Sequence, residues 1–188
     1  MKDSLDSLVP EVDEQGNITG AITRREAHSG TKRLHPVVHL HVFNSKGELY
    51  LQKRPDWKDI QPGKWDTAVG GHVDLGESVE QALRREVKEE IGITDYAPER
   101  LRHYVFESAK ERELVFVYRT VYDQPITPDK EELADGRFWS AEEIKANIGK
   151  GVFTPNFENE YSSVVMDDKA AADGNQDAAA DDKKDGSV

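Results

Sequence analysis

The sequence predicts an α/β fold, with strands and helices interleaved along one chain. Three observations carry it: a strand-patterned segment at Leu34–Phe43, an amphipathic, capped helix at Ser78–Ile91, and further strands and a second capped helix after it. Strand and helix patterns interleaved within 188 residues point to one layered domain.

The elements follow in order. Glu11–Thr19 is expected to form a small hairpin, with Gln15-Gly16-Asn17 supplying the turn, and Thr23 to cap a short helix ending near His28. Leu34–Phe43 and Glu48–Arg54 read as strands joined by the turn Asn44–Gly47. Pro55–Lys64, with its prolines and polar residues, reads as a loop, and Trp65–Val69 as a short strand. Ser78 and Gln81 form a capping box for the helix to Ile91, whose Val79, Ala82, Leu83 and Val87 make one apolar stripe. Gly92 ends that helix in a left-handed turn, with Ile93 packing back. Strands are expected at Leu101–Phe106, Leu114–Val121 and Arg137–Trp139, a helix with a second capping box at Ser140–Asn147, and a last helix at Asn156–Val165.

Residues 1–10 are expected to be a flexible N-terminus, 11–165 the folded domain and 166–188 an acidic, disordered tail. That tail holds seven Asp against three Lys and almost no apolar residue to bury. The net charge of −12 would repel a nucleic-acid backbone, and no basic cluster offsets it. With no cysteine the chain has no disulfide, thiolate nucleophile or Cys-based zinc site. No stretch approaches the roughly 18 apolar residues of a membrane span, and the N-terminus lacks the apolar region of a signal peptide. The expected location is cytoplasmic.

Gly71 to Ile93 reads GHVDLGESVEQALRREVKEEIGI. On a helix Glu86 lies three residues from Glu89 and four from Glu90, so these carboxylates project toward one region. Such a cluster repels itself unless a cation sits among it. Mg²⁺ suits it, as a hard ion that takes oxygen ligands from carboxylates, water and phosphate. A Glu-rich helix alone is ordinarily a solvated face; it is the spacing of Gly71, Glu77 and Arg85 that argues for a metal. Gly71 permits a tight loop whose carbonyl approaches the ion, whereas Gly92 is explained as a helix stop. Arg85, four residues before Glu89, is placed to orient a carboxylate, with Glu77 as a second partner.

This segment resembles the Nudix motif at every specified position: Gly71, Glu77, Arg85, Glu86, Val87, Glu89, Glu90, Gly92 and Ile93. The resemblance implies the Nudix fold, a mixed β-sheet sandwiched between helices (α/β/α), and Mg²⁺-dependent hydrolysis of a diphosphate (P–O–P) linkage in a small phosphorylated metabolite, such as a nucleoside diphosphate derivative, with Mn²⁺ as an alternative ion. It implies Glu86 and Glu90 as metal ligands with Glu89 alongside; which glutamate is the general base varies within the family, with Glu86 favoured here. The expected partner is the small diphosphate, with neither nucleic acid nor membrane; a homodimer is allowed.

From about Glu11 to Trp139 the chain is also similar to the Nudix branch that includes type I isopentenyl-diphosphate isomerases. In those enzymes two histidines seven residues apart, a histidine before the helix and a Glu-x-Glu pair hold a second divalent metal. His28, His35, His72, Glu111 and Glu113 match these positions, and such a ligand set suits a Mn²⁺- or Zn²⁺-like ion. The departure is Gly70, where the isomerases carry an essential cysteine. The resemblance therefore implies an isomerase-like hydrolase, with an isomerase or a non-catalytic phospho-ligand sensor as alternatives. Strand alternation further places His35, His39 and His41 on one face, opposite Val38, Leu40 and Val42, as the wall of a polar pocket. Selectivity is expected to lie in the segments 55–64 and 149–161.

Overall fold

The computed structural model describes residues 4–58 and 60–162. The tail expected at 166–188, and the end of the last expected helix, lie outside the described residues.

The chain opens with an antiparallel pair, β1 (Leu8–Val12) and β2 (Ile18–Thr23). β1 starts three residues before the expected hairpin and inside the stretch expected to be flexible, because Val9 is fully buried with Ile22 and Ala27. Thr23 caps the short helix α1 (Arg24–Ala27) through a reciprocal capping box with Glu26.

β3 (Leu34–Phe43) is the central strand. Leu34, Val38, Leu40 and Val42 enter the main core, and Val37 packs on the opposite face with Val115 and Val117. The histidines alternate onto that second face. β4 (Leu49–Lys53) returns antiparallel but pairs with β3 only at Val42–Phe43. The strands part there because β5 (Trp65–Thr67) pairs with β4 and β6 (Val69–His72) pairs with β3, so the single short strand expected at 65–69 is two.

Helix α2 (Val79–Ile91) has Ser78 as its N-cap and Gly92 at φ +71° past its end. Its Ala82, Leu83, Val87 and Ile91 cover the main core. β7 (Glu99–Glu107) and β8 (Arg112–Val121) form an antiparallel pair, and β8 runs parallel to β3 along its whole length. β9 (Asp135–Trp139) closes the other edge against β4. Helices α3 (Ala141–Asn147) and α4 (Pro155–Glu160) pack Ile144 and Phe157 on Leu49, Leu51 and Trp139. The mixed sheet thus lies between α2 on one face and α3 and α4 on the other, as the sequence predicts. No helix among the described residues is long and apolar enough to cross a membrane.

Candidate active site and metal centre

Burial of Leu83, Val87 and Ile91 fixes the rotation of α2 about its axis, and this aims Glu86 and Glu90 at the glycines of β6. A β-carbon at Gly71 would overlap the Glu86 carboxyl group. Beside it, the Gly70 N–H donates to Glu90 Oε2 at 3.2 Å, and Gln52 Nε2 donates to the same oxygen at 3.3 Å. Gly71 is therefore required by the approach of Glu86, a reason beyond the carbonyl approach expected from sequence.

Arg85 ties the motif together. Its Nε and Nη2 donate to the two oxygens of Glu77 at 3.0 and 2.9 Å, its Nη1 to Glu86 Oε1 at 2.6 Å, and Nη2 also to the His72 carbonyl at 2.9 Å. Glu89 stays 3.6 Å away and largely exposed, so Arg85 orients Glu77 and Glu86 rather than the residue one turn on. Partial burial works against both charges, yet the Arg85 pairing holds Glu77 below the usual carboxylate range and its own guanidinium above the usual arginine range. Burial and the neighbouring Glu86 charge push Glu90 well above the ordinary value. Two carboxylates forced together in this way call for a cation, and oxygen donors suit Mg²⁺.

A second cluster forms where α1, β3 and β6 meet. One ring nitrogen from each of His28, His35 and His72 lies within 4.8 Å of the others. The Nε2 atoms of His28 and His72 are 3.0 Å apart, and the His35 and His72 rings stack at 5.3 Å. His35 Nδ1 donates to the Arg33 carbonyl at 3.1 Å, which leaves Nε2 with its lone pair, buried and without a hydrogen-bond partner. Burial pushes His35 down to about 4 and His72 well below the ordinary value, so both rings are neutral at pH 7. Neutral imidazoles around one point, with an orphaned nitrogen among them, fit a Mn²⁺- or Zn²⁺-like ion. Glu111 reaches the cluster through His28, at 3.7 Å. Glu113 stands opposite His35 in the β3–β8 ladder, outside the circle of three nitrogens; burial, and then the Glu111 charge, push it up to about 8.

Three features escape the sequence. Gln52 was legible only as an alternate position on β4. Asp66 accepts hydrogen bonds from Thr154 Oγ1 at 2.8 Å and Arg54 Nη1 at 3.4 Å. Glu160 of α4, fully buried, lies beneath His39 and His41; a lone glutamate on a short helix gives no signal of that contact.

The family model described as the NUDIX domain matches residues 33–157, most of the chain. The chain belongs to the Nudix family. Among its Nudix relatives is an uncharacterized Nudix hydrolase of Listeria monocytogenes, 36% identical over 148 residues that cover 78% of this chain and 87% of that protein. An isopentenyl-diphosphate Delta-isomerase of Photorhabdus laumondii is 28% identical over 163 residues, covering 82% and 93%. A crystal structure from Deinococcus radiodurans superposes with a TM-score of 0.68 at 26% identity, over 78% of this chain and 91% of that one. By its family this chain is a Nudix hydrolase, and relatives named as isopentenyl-diphosphate Delta-isomerases match it as well.

Proposed function

We propose that this Nudix hydrolase cleaves a P–O–P linkage in a small phosphorylated metabolite, such as a nucleoside diphosphate derivative, with Mg²⁺ at Glu86, Glu89, Glu90 and the Gly71 carbonyl. The observation that carries the reading is the convergence of Glu86 and Glu90 on the Gly70–Gly71 backbone, locked by Arg85 and Glu77. When bound, the ion neutralises phosphate charge and makes water a stronger nucleophile. Arg85 keeps Glu86 aimed through its 2.6 Å hydrogen bond, and Glu86 takes the proton of the attacking water. Water oxygen bonds to phosphorus as the P–O bond to the leaving phosphate breaks. The Gly70 N–H and Gln52 hold the Glu90 carboxylate in place. The His28, His35 and His72 cluster, with Glu111 and Glu113 beside it, takes a second divalent ion in this reading, Mn²⁺- or Zn²⁺-like. A Mg²⁺-supplemented panel of nucleoside diphosphates, nucleotide sugars, dinucleotides and isoprenoid diphosphates, read by released phosphate or monophosphate, identifies the substrate; no turnover of any member contradicts the reading.

The three-histidine cluster favours one other reading, an isomerase acting on isopentenyl diphosphate. Proton transfer at carbon needs an acid or base where Gly70 has no side chain. Purified protein is expected to show no interconversion with dimethylallyl diphosphate; interconversion proportional to enzyme and abolished by metal removal would establish the isomerase instead.

A further inference from the structure

His39 stands on β3 directly opposite Gly70. Gly70 is solvent-exposed, and a β-carbon there would stand 3.3 Å from His39 Cδ2 and 3.4 Å from Nε2. Gly70 therefore places no side chain over that edge of the otherwise buried ring, next to the N–H that holds Glu90.

The other edge of the ring is spoken for. His39 Nδ1 is 2.9 Å from Glu160 Oε2 and 3.3 Å from Oε1. Glu160 is fully buried, accepts from Thr67 Oγ1 at 3.2 Å and Tyr104 OH at 3.4 Å, and has no lysine or arginine within salt-bridge reach among the described residues. A carboxylate so deeply buried needs a positive partner. His41 Nε2 lies 3.2 Å from the same carboxyl group but makes no aligned hydrogen bond. His39, hydrogen-bonded to that carboxyl group through Nδ1, is held in its charged form by it. Burial works against that form, yet Glu160 raises His39 to about 9, with the charges of Glu113 and Asp66 acting in the same direction. An imidazolium is a donor at both nitrogens. With Nδ1–H spent on Glu160, Nε2–H has no hydrogen-bond partner among the described residues.

We propose that His39 is a substrate-binding residue of the hydrolase site, its Nε2–H donating to an anionic oxygen of the diphosphate on the Gly70 side, with Glu160 as the positioning residue behind it. The inference rests on the diphosphate-hydrolase reading above and adds to it a cationic contact outside the glutamate helix. If the pair served only to fasten α4, Nδ1 alone would suffice and ligand would leave the Nε2 edge unaffected.

The test uses the full chain, Mg²⁺ and methylenediphosphonate, a diphosphate analogue whose P–C–P link cannot be hydrolysed. Imidazole ¹⁵N resonances of wild-type protein are followed through the titration, and dissociation constants are measured by calorimetry for wild type, His39→Asn and Glu90→Gln. Asn keeps a donor near the Nδ1 position and removes Nε2–H. A shift of the His39 Nε2 signal on saturation, with about tenfold or greater weakening in His39→Asn, is the expected result, the scale of one charge-assisted hydrogen bond. Wild-type affinity in His39→Asn, or an unmoved His39 Nε2 signal, overturns the proposal. Should His39→Asn fail to fold, the wild-type resonances decide. Loss of affinity in Glu90→Gln alone rejects His39 and leaves the glutamate site standing; no binding to wild-type protein with Mg²⁺ rejects both.

Discussion

Gly71 and Glu86 are fitted to each other: the Glu86 carboxyl group occupies the space that any side chain at position 71 would need. Gly71→Ala is therefore expected to displace Glu86 while leaving the sheet paired. Overpacking of this kind costs about 1–3 kcal/mol, and turnover should fall at least about tenfold because the carboxylate moves. Steady-state kinetics with a thermal melt checks it; unchanged kcat would mean that Glu86 has room to spare.

Arg85 reaches Glu77 with two parallel hydrogen bonds and Glu86 with a third. Lysine keeps the charge but not the fork. Arg85→Lys should lower kcat about tenfold or more with a melting temperature near that of wild type. Full activity in Arg85→Lys would show that charge alone is required.

Stability of the metal-free protein should fall as pH rises from 6.5 to 9. His39 is raised above its unfolded value of 6.5 to about 9, so its contribution is complete below 6.5 and is lost on the way to the folded value. Glu113, raised to about 8, acts in the same direction over its range. Melting temperatures in the presence of chelator should show the decline, and His39→Asn should flatten it. A profile identical in the variant would remove His39 as a cause.

The three-histidine cluster should retain a divalent ion independently of the glutamate helix. Elemental analysis after dialysis is expected to find about one Mn²⁺ or Zn²⁺ per chain in wild type and Glu90→Gln, and its loss in His72→Ala. Bound ion should also raise the melting temperature by mass action. Equal metal content in His72→Ala and wild type would place the ion elsewhere.

Much of this site was legible because helix geometry and capping are local. The capping boxes at Ser78 and Ser140 and the stop at Gly92 appear where residue chemistry puts them. Glu86 and Glu90 face one way because the Leu83–Val87 stripe faces another. The split of 65–72 into two strands was not legible, since it depends on which of β3 and β4 each half meets. Nor was Glu160 beneath His39, a contact between residues 121 apart in sequence that only tertiary packing creates. The early start of β1 came from burial of Val9, in a stretch too short to show alternation.

The most direct measurement is the turnover of Glu86→Gln and Glu90→Gln on the substrate that the panel identifies, at saturating Mg²⁺. Each substitution removes a negative charge that holds the ion in the proposed reading and leaves a side chain of the same shape. Both variants are expected to fold as wild type and to lose at least about a hundredfold in kcat. Near-wild-type turnover in both, with Mg²⁺ saturating, would contradict the assignment of this helix as the hydrolytic centre.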